Sequence, residues 1–521
     1  MKRRSFIKTS SLAAVPVLIN GIPVEAIAKT TFANFVNPED DRILVLIQLG
    51  GGNDGLNMIV PLDQYAQLYK VRDKIILQED KITKLTDKTG IHPIMTGIKS
   101  MYDEGKIKLI QSVGYPNQNR SHFRSTDIWT SASSAEQYET TGWLGRAFQL
   151  KHPSYPTGYP NTEYADPLAI TIGSLVSETC QGTSANFSIA INDPSTLRQL
   201  TEAEKGTLPQ TNYGYELAYM INSIRQTNQY SDVVSDAYNK ATNLSTKYPT
   251  GNALADRLKI VARLIHGGLK SKVYVVNIGG FDTHANQIDV LDDSHTTGTH
   301  ANLLSQLSGA MEAFQDDLKL MKKEQQVVGM TFSEFGRQIK ANDSTGTDHG
   351  TAAPMFLFGS CIKPGILGDN ATISDNVQNG EGVAMQYDFR SVYASLLMDW
   401  FKLSESTVKS ILYGEFQKLS LIEGCDTTTE VEDSARDFNL SLTAYPNPTS
   451  DVLNIKFVSK DESVRVSIFD IIGSEIKVLH QGKLNGGEHE LKFNTNELSS
   501  GHYIVRVSAE RAQKTKKFMV Q

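Results

Sequence analysis

The chain is 521 residues long, more than one small core organises at roughly 100–200 residues per domain, so one large and one small domain are expected. Lys and Arg number 51 against 58 Asp and Glu, a net charge of −7, which excludes a nucleic-acid binder relying on clustered cations against phosphate. A mean hydropathy of −0.29 excludes a membrane bundle, and acidic substrates would have to be met by bound metal.

The first elements are targeting signals. Lys2-Arg3-Arg4-Ser5-Phe6-Ile7-Lys8 opens a charged region, a weakly apolar stretch follows over 11–22, and Ala26-Ile27-Ala28 supplies a small-x-small cleavage pattern. The apolar stretch is too short to span a bilayer, so residues 1–28 read as a removable export signal, with the mature protein starting near Lys29 and carrying no transmembrane segment. The paired arginines resemble the twin-arginine type, which exports proteins already folded.

Residues 43–49 form a continuous apolar run, the pattern of a parallel strand buried on both faces. Gly50-Gly51-Gly52-Asn53-Asp54-Gly55 follows, and its glycines allow the backbone close to a ligand, which makes Asp54 a candidate metal ligand. Neither a phosphate-binding loop nor a dinucleotide fingerprint fits, because no Gly-Lys-Ser/Thr follows and Pro61 interrupts any immediate helix. A second apolar run over 107–113 leads to Asn119-Arg120-Ser121-His122-Phe123-Arg124. Ser121 reads equally as a nucleophile or as the N-cap of a helix through Trp129. His122 suits proton transfer, and Arg120 and Arg124 suit an anionic group.

Residues 151–167, rich in Pro, Gly, Tyr and Asn, read as a long surface loop, 168–172 as a strand, and 213–226, 231–244 and 253–265 as helices. The strand over 272–278 is followed by Gly279-Gly280-Phe281-Asp282-Thr283-His284, and His300 precedes an amphipathic helix over 303–323 as a substrate or ligand candidate. The run over 327–332 leads into Ser333-Glu334-Phe335-Gly336-Arg337, with Asp348-His349-Gly350 in the next loop. In an open α/β sheet the site lies beyond the carboxyl ends of the strands, so these clusters are expected around one crevice. Carboxylate and imidazole together suit zinc, manganese or a similar ion, and two such clusters could hold a metal pair. Cys180, Cys361 and Cys425 are too few for a disulfide framework. One bridge is allowed, and unpaired thiols are the plainer expectation.

The runs Gln48 to Asn57, Arg120 to Phe123, Gly280 to His284, Ser333 to Arg337 and Asp348 to Gly350 resemble domain-of-unknown-function family 1501 over about residues 40–415. That family is similar to the alkaline phosphatase and sulfatase superfamily. The resemblance implies an α/β, mostly parallel sheet with helices on both faces, and two divalent metal ions held by Asp54, Asp282, His284, Asp348 and His349. Ser121 with His122 would act on the ester, and Arg120, Arg124, His300 and Glu334 would face the substrate. Cys361-Ile362-Lys363-Pro364 does not match the sulfatase Cys-x-Pro-x-Arg motif, which argues against a formylglycine enzyme.

A polar linker over 423–439 separates this domain, 40–422, from short alternating strands at 452–458, 464–468, 489–493 and 503–508, the habit of a small all-β sandwich. Ala444-Tyr445-Pro446-Asn447-Pro448, Leu498 to Tyr503 and Lys517-Phe518 resemble the type A sorting domain of the type IX secretion system over 440–521. The expectation is an exported metal-dependent hydrolase of small-molecule or glycan phosphate or sulfate esters. Its partners would be the twin-arginine and type IX machineries, and it would pass through the periplasm to the outer-membrane surface or medium. The alternative is a surface binding or scaffold protein on a hydrolase-like fold.

Overall fold

The computed structural model describes residues 18–19, 22–23, 41–197, 211–425, 442–459, 462–470, 475–509 and 513–521. Except for the antiparallel pair Leu18–Ile19 and Ile22–Pro23, the export signal lies outside the described residues, as does the linker beyond Cys425. The chain divides into two compact units, Met1–Thr428 and Thr429–Gln521.

In the first unit the main sheet takes its strands in the chain order β1 (Ile43–Leu49), β2 (Ile107–Gly114), β3 (Ala169–Ile172), β4 (Ser188–Ile191), β5 (Val273–Ile278), β6 (Val327–Phe332), β7 (Ala353–Phe358), β8 (Gly365–Leu367) and β9 (Tyr387–Asp388). The spatial order is β8-β2-β7-β6-β1-β5-β3-β4, with β9 also paired to β2. All pairings are parallel except the two made by β7 with β6 and β2. The apolar runs explain the layering. In β1, Leu44 and Leu46 enter one core with Trp129, Trp143 and Trp400, while Val45 and Ile47 enter another with Leu258, Leu304 and Met311. A strand apolar on both faces is stable only between two helical layers. One layer holds α3 (His122–Ser131) and α4 (Trp143–Lys151), each labelled in chain order after α1 (Tyr65–Arg72) and α2 (Thr96–Asp103). The other holds α5 (Asn212–Lys240), α6 (Ala253–His266) and α7 (Thr299–Leu320).

Two expectations change. The helices read separately over 213–226 and 231–244 form a single helix, α5, because the polar stretch between them carries no Gly or Pro to break it. Cys361 and Cys425 form a disulfide, leaving Cys180 as the free thiol, buried and pushed up to about 12 by burial.

The second unit is all-β. A three-stranded sheet, Leu442–Tyr445, Val452–Ser459 and Gly487–Asn494, and a four-stranded one, Glu462–Asp470, Glu475–Leu484, Gly501–Ala509 and Gln513–Val520, enclose one core. Period-two alternation supplies it: Leu453, Ile455 and Phe457 are buried between more exposed neighbours. Among the described residues no helix is long and apolar enough to cross a membrane.

The cystine closes a loop of 64 residues, worth roughly 4 kcal/mol by loop-closure entropy. Cys361→Ser is therefore expected to lower the denaturation midpoint of the first unit and to abolish the effect of added reductant, measured by urea unfolding with and without dithiothreitol.

Candidate metal centre

The strand directions assemble the site. Strands β1, β2, β5 and β6 end on one side of the sheet, and β7, running the other way, begins there. Asp348 and His349, just before β7, thus meet the residues that follow the parallel strands.

Three imidazoles converge on Asp282. His349 Nδ1 lies 2.8 Å from the carbonyl of Arg120 and must donate to it, because a carbonyl only accepts. His284 Nδ1 lies 2.9 Å from Asp348 Oδ1, and His122 Nδ1 lies 2.8 Å from Glu334 Oε1, which also accepts the Gly51 N–H at 2.8 Å. With the ring proton fixed at Nδ1 in each case, the Nε2 lone pairs face inward. His284 Nε2 is 2.9 Å from His349 Nε2, both are 3.2 Å from Asp282 Oδ1, and His122 Nε2 is 3.4 Å from Asp282 Oδ2. Anchoring a ligating imidazole by its outer N–H is how metal sites fix tautomer and orientation. Lone pairs crowded this closely repel one another unless a shared proton or a metal cation lies between them. His122, Asp282 and His349 each offer a ligand atom within 4.8 Å of the others, and a nitrogen-rich set with one carboxylate fits zinc or a similar ion.

Arg337 holds the frame. Its fully buried guanidinium donates to Gly52 O at 2.6 Å, Thr347 O at 2.9 Å, Phe281 O at 3.0 Å, Asp282 Oδ1 at 2.6 Å and also Gly51 O. Burial raises Asp282, but the bond and charge from Arg337 outweigh it and hold the carboxyl at about 2. The hydrogen bond from His284 likewise lowers Asp348, and burial lowers His349 against the bonds that raise it. Phe335 forms the floor, its ring 4.9 Å from His122 and 4.7 Å from His349 between centroids. Gly51, at φ +120, has no room for a side chain: a Cβ would sit 2.3 Å from the Asp282 nitrogen.

Other expected residues stand elsewhere. Asp54 is buried, with both oxygens within 3.0 Å of Arg72 Nη1 and a 2.6 Å bond from Gln287, and it caps Leu56 N at 3.3 Å. Burial raises its carboxyl, yet Arg72, His300 and Gln287 together keep it below the usual range. Its oxygens are committed to this structural ion pair and not to the centre. Asp348 supports His284 from outside the Nε2 cluster. Arg124 donates to the carbonyls of Ser134, Ala135 and Gln137 and lies over the Tyr138 ring, so it braces a loop instead of facing substrate. His300 is buried, 2.9 Å from Asn53 Oδ1, also out of reach of substrate. Glu334 is buried behind His122. Ser121 is exposed at the N-cap of α3, where its side chain makes no cap bond. Arg120 is half-buried and lends the centre its carbonyl. Sequence reading assigned no role to Arg337, Phe335, Arg72 or Gln287. Arg337 and Phe335 lie inside the Ser333 to Arg337 run, but Arg72 ends α1 between Lys70 and Lys74, and nothing in the sequence singles it out.

The family model described as "Protein of unknown function (DUF1501)" matches residues 41–408, and "Secretion system C-terminal sorting domain" matches 443–521. No curated protein matches. Solved structures similar to this chain include PorZ, a bacterial surface component of the type-IX secretion system of Porphyromonas gingivalis, at 22% identity over 19% of this chain and 13% of that one, with a TM-score of 0.13. This chain therefore spans well under two thirds of PorZ. A Bacteroides thetaiotaomicron protein described under metabolism of multiple glycosaminoglycans is 10% identical over 84% and 88%, with a TM-score of 0.35. A protein in the alkaline phosphatase superfamily from Vibrio parahaemolyticus is 11% identical over 96% and 92%, with a TM-score of 0.31. The sorting domain marks the chain for type IX secretion to the cell surface or the extracellular space.

Arg337→Met leaves the carbonyls of Gly52, Phe281 and Thr347 without their donor, and a cost of about 3 kcal/mol is expected at roughly 1–3 kcal/mol per buried acceptor left unsatisfied, read by urea denaturation. His300 gives a pH signature. Burial lowers it from 6.5 to about 4, so on acidification the unfolded chain takes up the proton first. Its contribution is complete above about pH 6.5 and is lost towards about pH 4, roughly 3 kcal/mol in all. His300→Gln should flatten the stability–pH slope in that window by this amount.

Proposed function

The chain belongs to the DUF1501 family, and from the centre it carries we propose that it is an exported, metal-dependent hydrolase of phosphate or sulfate esters. The observation that carries this reading is the 2.9 Å approach of His284 Nε2 to His349 Nε2 beside Asp282, with each outer ring nitrogen tied to an acceptor. That arrangement suits His122, His349 and Asp282, whose ligand atoms lie within 4.8 Å of one another, as holders of a divalent cation, with His284 beside them.

A bound divalent ion supplies Lewis acidity, lowering a nucleophile's pKa and neutralising charge that builds on the ester. The chain's own residues do the rest. Glu334, Asp348 and the Arg120 carbonyl keep the three imidazoles in the ligating tautomer, and Arg337 keeps Asp282 ionised. The exposed Ser121 hydroxyl is the candidate nucleophile, beside His122 in the chain, and the Arg120 guanidinium is the cation available to an anionic ester. The centre is open to solvent: the Asp282, His284 and Asp348 side chains are 47%, 45% and 49% exposed. Delivery through a twin-arginine signal before type IX secretion belongs to the same proposal.

Metal analysis by plasma mass spectrometry on the full chain tests it. The wild type is expected to hold a transition metal and to turn over p-nitrophenyl phosphate or sulfate, and the Asp282→Ala, His349→Ala double variant to lose both while remaining folded. No bound metal in the wild type would overturn the reading in favour of a surface binding protein. Glu334→Gln should weaken metal affinity about 10-fold through loss of the negative charge behind His122, measured by competition with a chromogenic chelator.

A further inference from the structure

We propose that the ester is carried by a polysaccharide that is otherwise uncharged and whose chain lies in a trough leaving the centre along helix α3, a substrate class that rests on the hydrolase reading above. The trough is made of two cavities, about 440 and 230 Å³, which share Thr130, Leu175, Val176 and Glu178. Helix geometry joins it to the centre. His122, Thr126 and Thr130 are spaced i, i+4, i+8 on one stripe of α3, so the stripe that delivers His122 to the cluster continues as the trough wall. At 1.5 Å per residue, Thr130 lies about 12 Å from His122, the reach of a short oligosaccharide. The other wall includes Gln48 and Asn277, at the ends of β1 and β5 just before the loops that carry Gly51 and Asp282.

The lining chooses the ligand. Thr126, Thr130, Thr141, Gln48, Asn277 and Asn186 present hydroxyls and amides that can both donate and accept, as a polyol requires. Asp127, Glu139 and Glu178 add acceptors for sugar hydroxyls, while no Lys, Arg or His lines either cavity. A polymer charged along its length, such as a sulfated glycosaminoglycan, would meet like charge there. Phe123, 87% exposed beside His122, and Leu175, 81% exposed in the trough, offer apolar surface to the flat faces of sugar rings.

Calorimetric titration of the full chain with neutral hexasaccharides (cello-, xylo-, manno- and laminarihexaose), and with a heparin hexasaccharide as the anionic control, tests the proposal. At least one neutral probe is expected to bind and heparin not to. Affinity should fall about tenfold in Thr130→Trp, which fills the trough, and about fivefold in Leu175→Asp. The second change lies at an exposed position and leaves folding intact even if the first does not. Neither variant should alter bound metal or turnover of p-nitrophenyl esters. Binding of heparin in preference to every neutral probe, no binding of any neutral probe, or an affinity unmoved by Leu175→Asp would each overturn the trough. Intact oligosaccharide binding without metal or ester turnover would instead overturn the hydrolase reading and leave the trough standing.

Discussion

The buried guanidinium of Arg337 is the constraint on which the centre depends. It reaches the loop after β1 through Gly51 and Gly52, the loop after β5 through Phe281 and Asp282, and the segment before β7 through Thr347. A planar group with five donors in a fixed fork can satisfy three chain segments at once; a lysine could not. The cost of burying its charge is offset by one carboxylate and several carbonyls. Arg72 does the same on the far side of the β1 loop, binding Asp54 and the carbonyls of Gln338 and Ile339. Two arginine–aspartate pairs thus bracket the Gly50–Asn53 turn, and only one of the two aspartates is left facing solvent. That difference separates Asp282, exposed enough to bind, from Asp54, which is structural.

Orientation follows from this frame. Once Asp282 is fixed and ionised, the positions of the three Nε2 atoms are decided by what each outer nitrogen can donate to: a carboxylate behind His122, another behind His284 and a backbone carbonyl behind His349. The last anchor couples the loop before α3 to the strand turn at β7, because Arg120 and His349 lie 229 residues apart. Two of the anchors are charged, which strengthens those bonds relative to neutral ones. Asn342 steadies the outer layer by donating to both His284 O and Asp348 Oδ1.

Much of this fold is legible in the sequence because buried parallel strands write themselves as unbroken apolar runs: those over 43–49 and 327–332 have the bounds that β1 and β6 occupy. What local pattern cannot carry is strand direction and partner. The run Ala353–Phe358 is apolar enough to be a strand, but nothing local says that it runs against its neighbours. That reversal is what brings His349 to the site. The same limit applies to side chains. Asp54 and Asp282 each follow a glycine-rich turn after a buried strand, and in sequence they are equivalent. Arg72, distant in the chain, decides between them. Arg124 reads as an anion binder as one of the cations flanking Ser121, yet on a helix neighbours two apart, such as His122 and Arg124, point to different sides, and its side meets the 134–137 carbonyls.

An open centre poses an electrostatic problem. Charges near half-exposed side chains work against a high dielectric, where a unit pair at 4 Å is worth about 1 kcal/mol in water and about 4 kcal/mol at a protein surface. A site of this kind therefore gains little from bare charge and must rely on strong, fixed ligands and on whatever excludes water when substrate arrives. The anchored imidazoles supply the first. A small ester would leave the centre wet, whereas a chain lying along α3 would itself cover the cluster and lower the local dielectric as it binds. Under the proposed function the acid-lined trough and the open centre would act together, a long substrate completing the wall that the protein lacks.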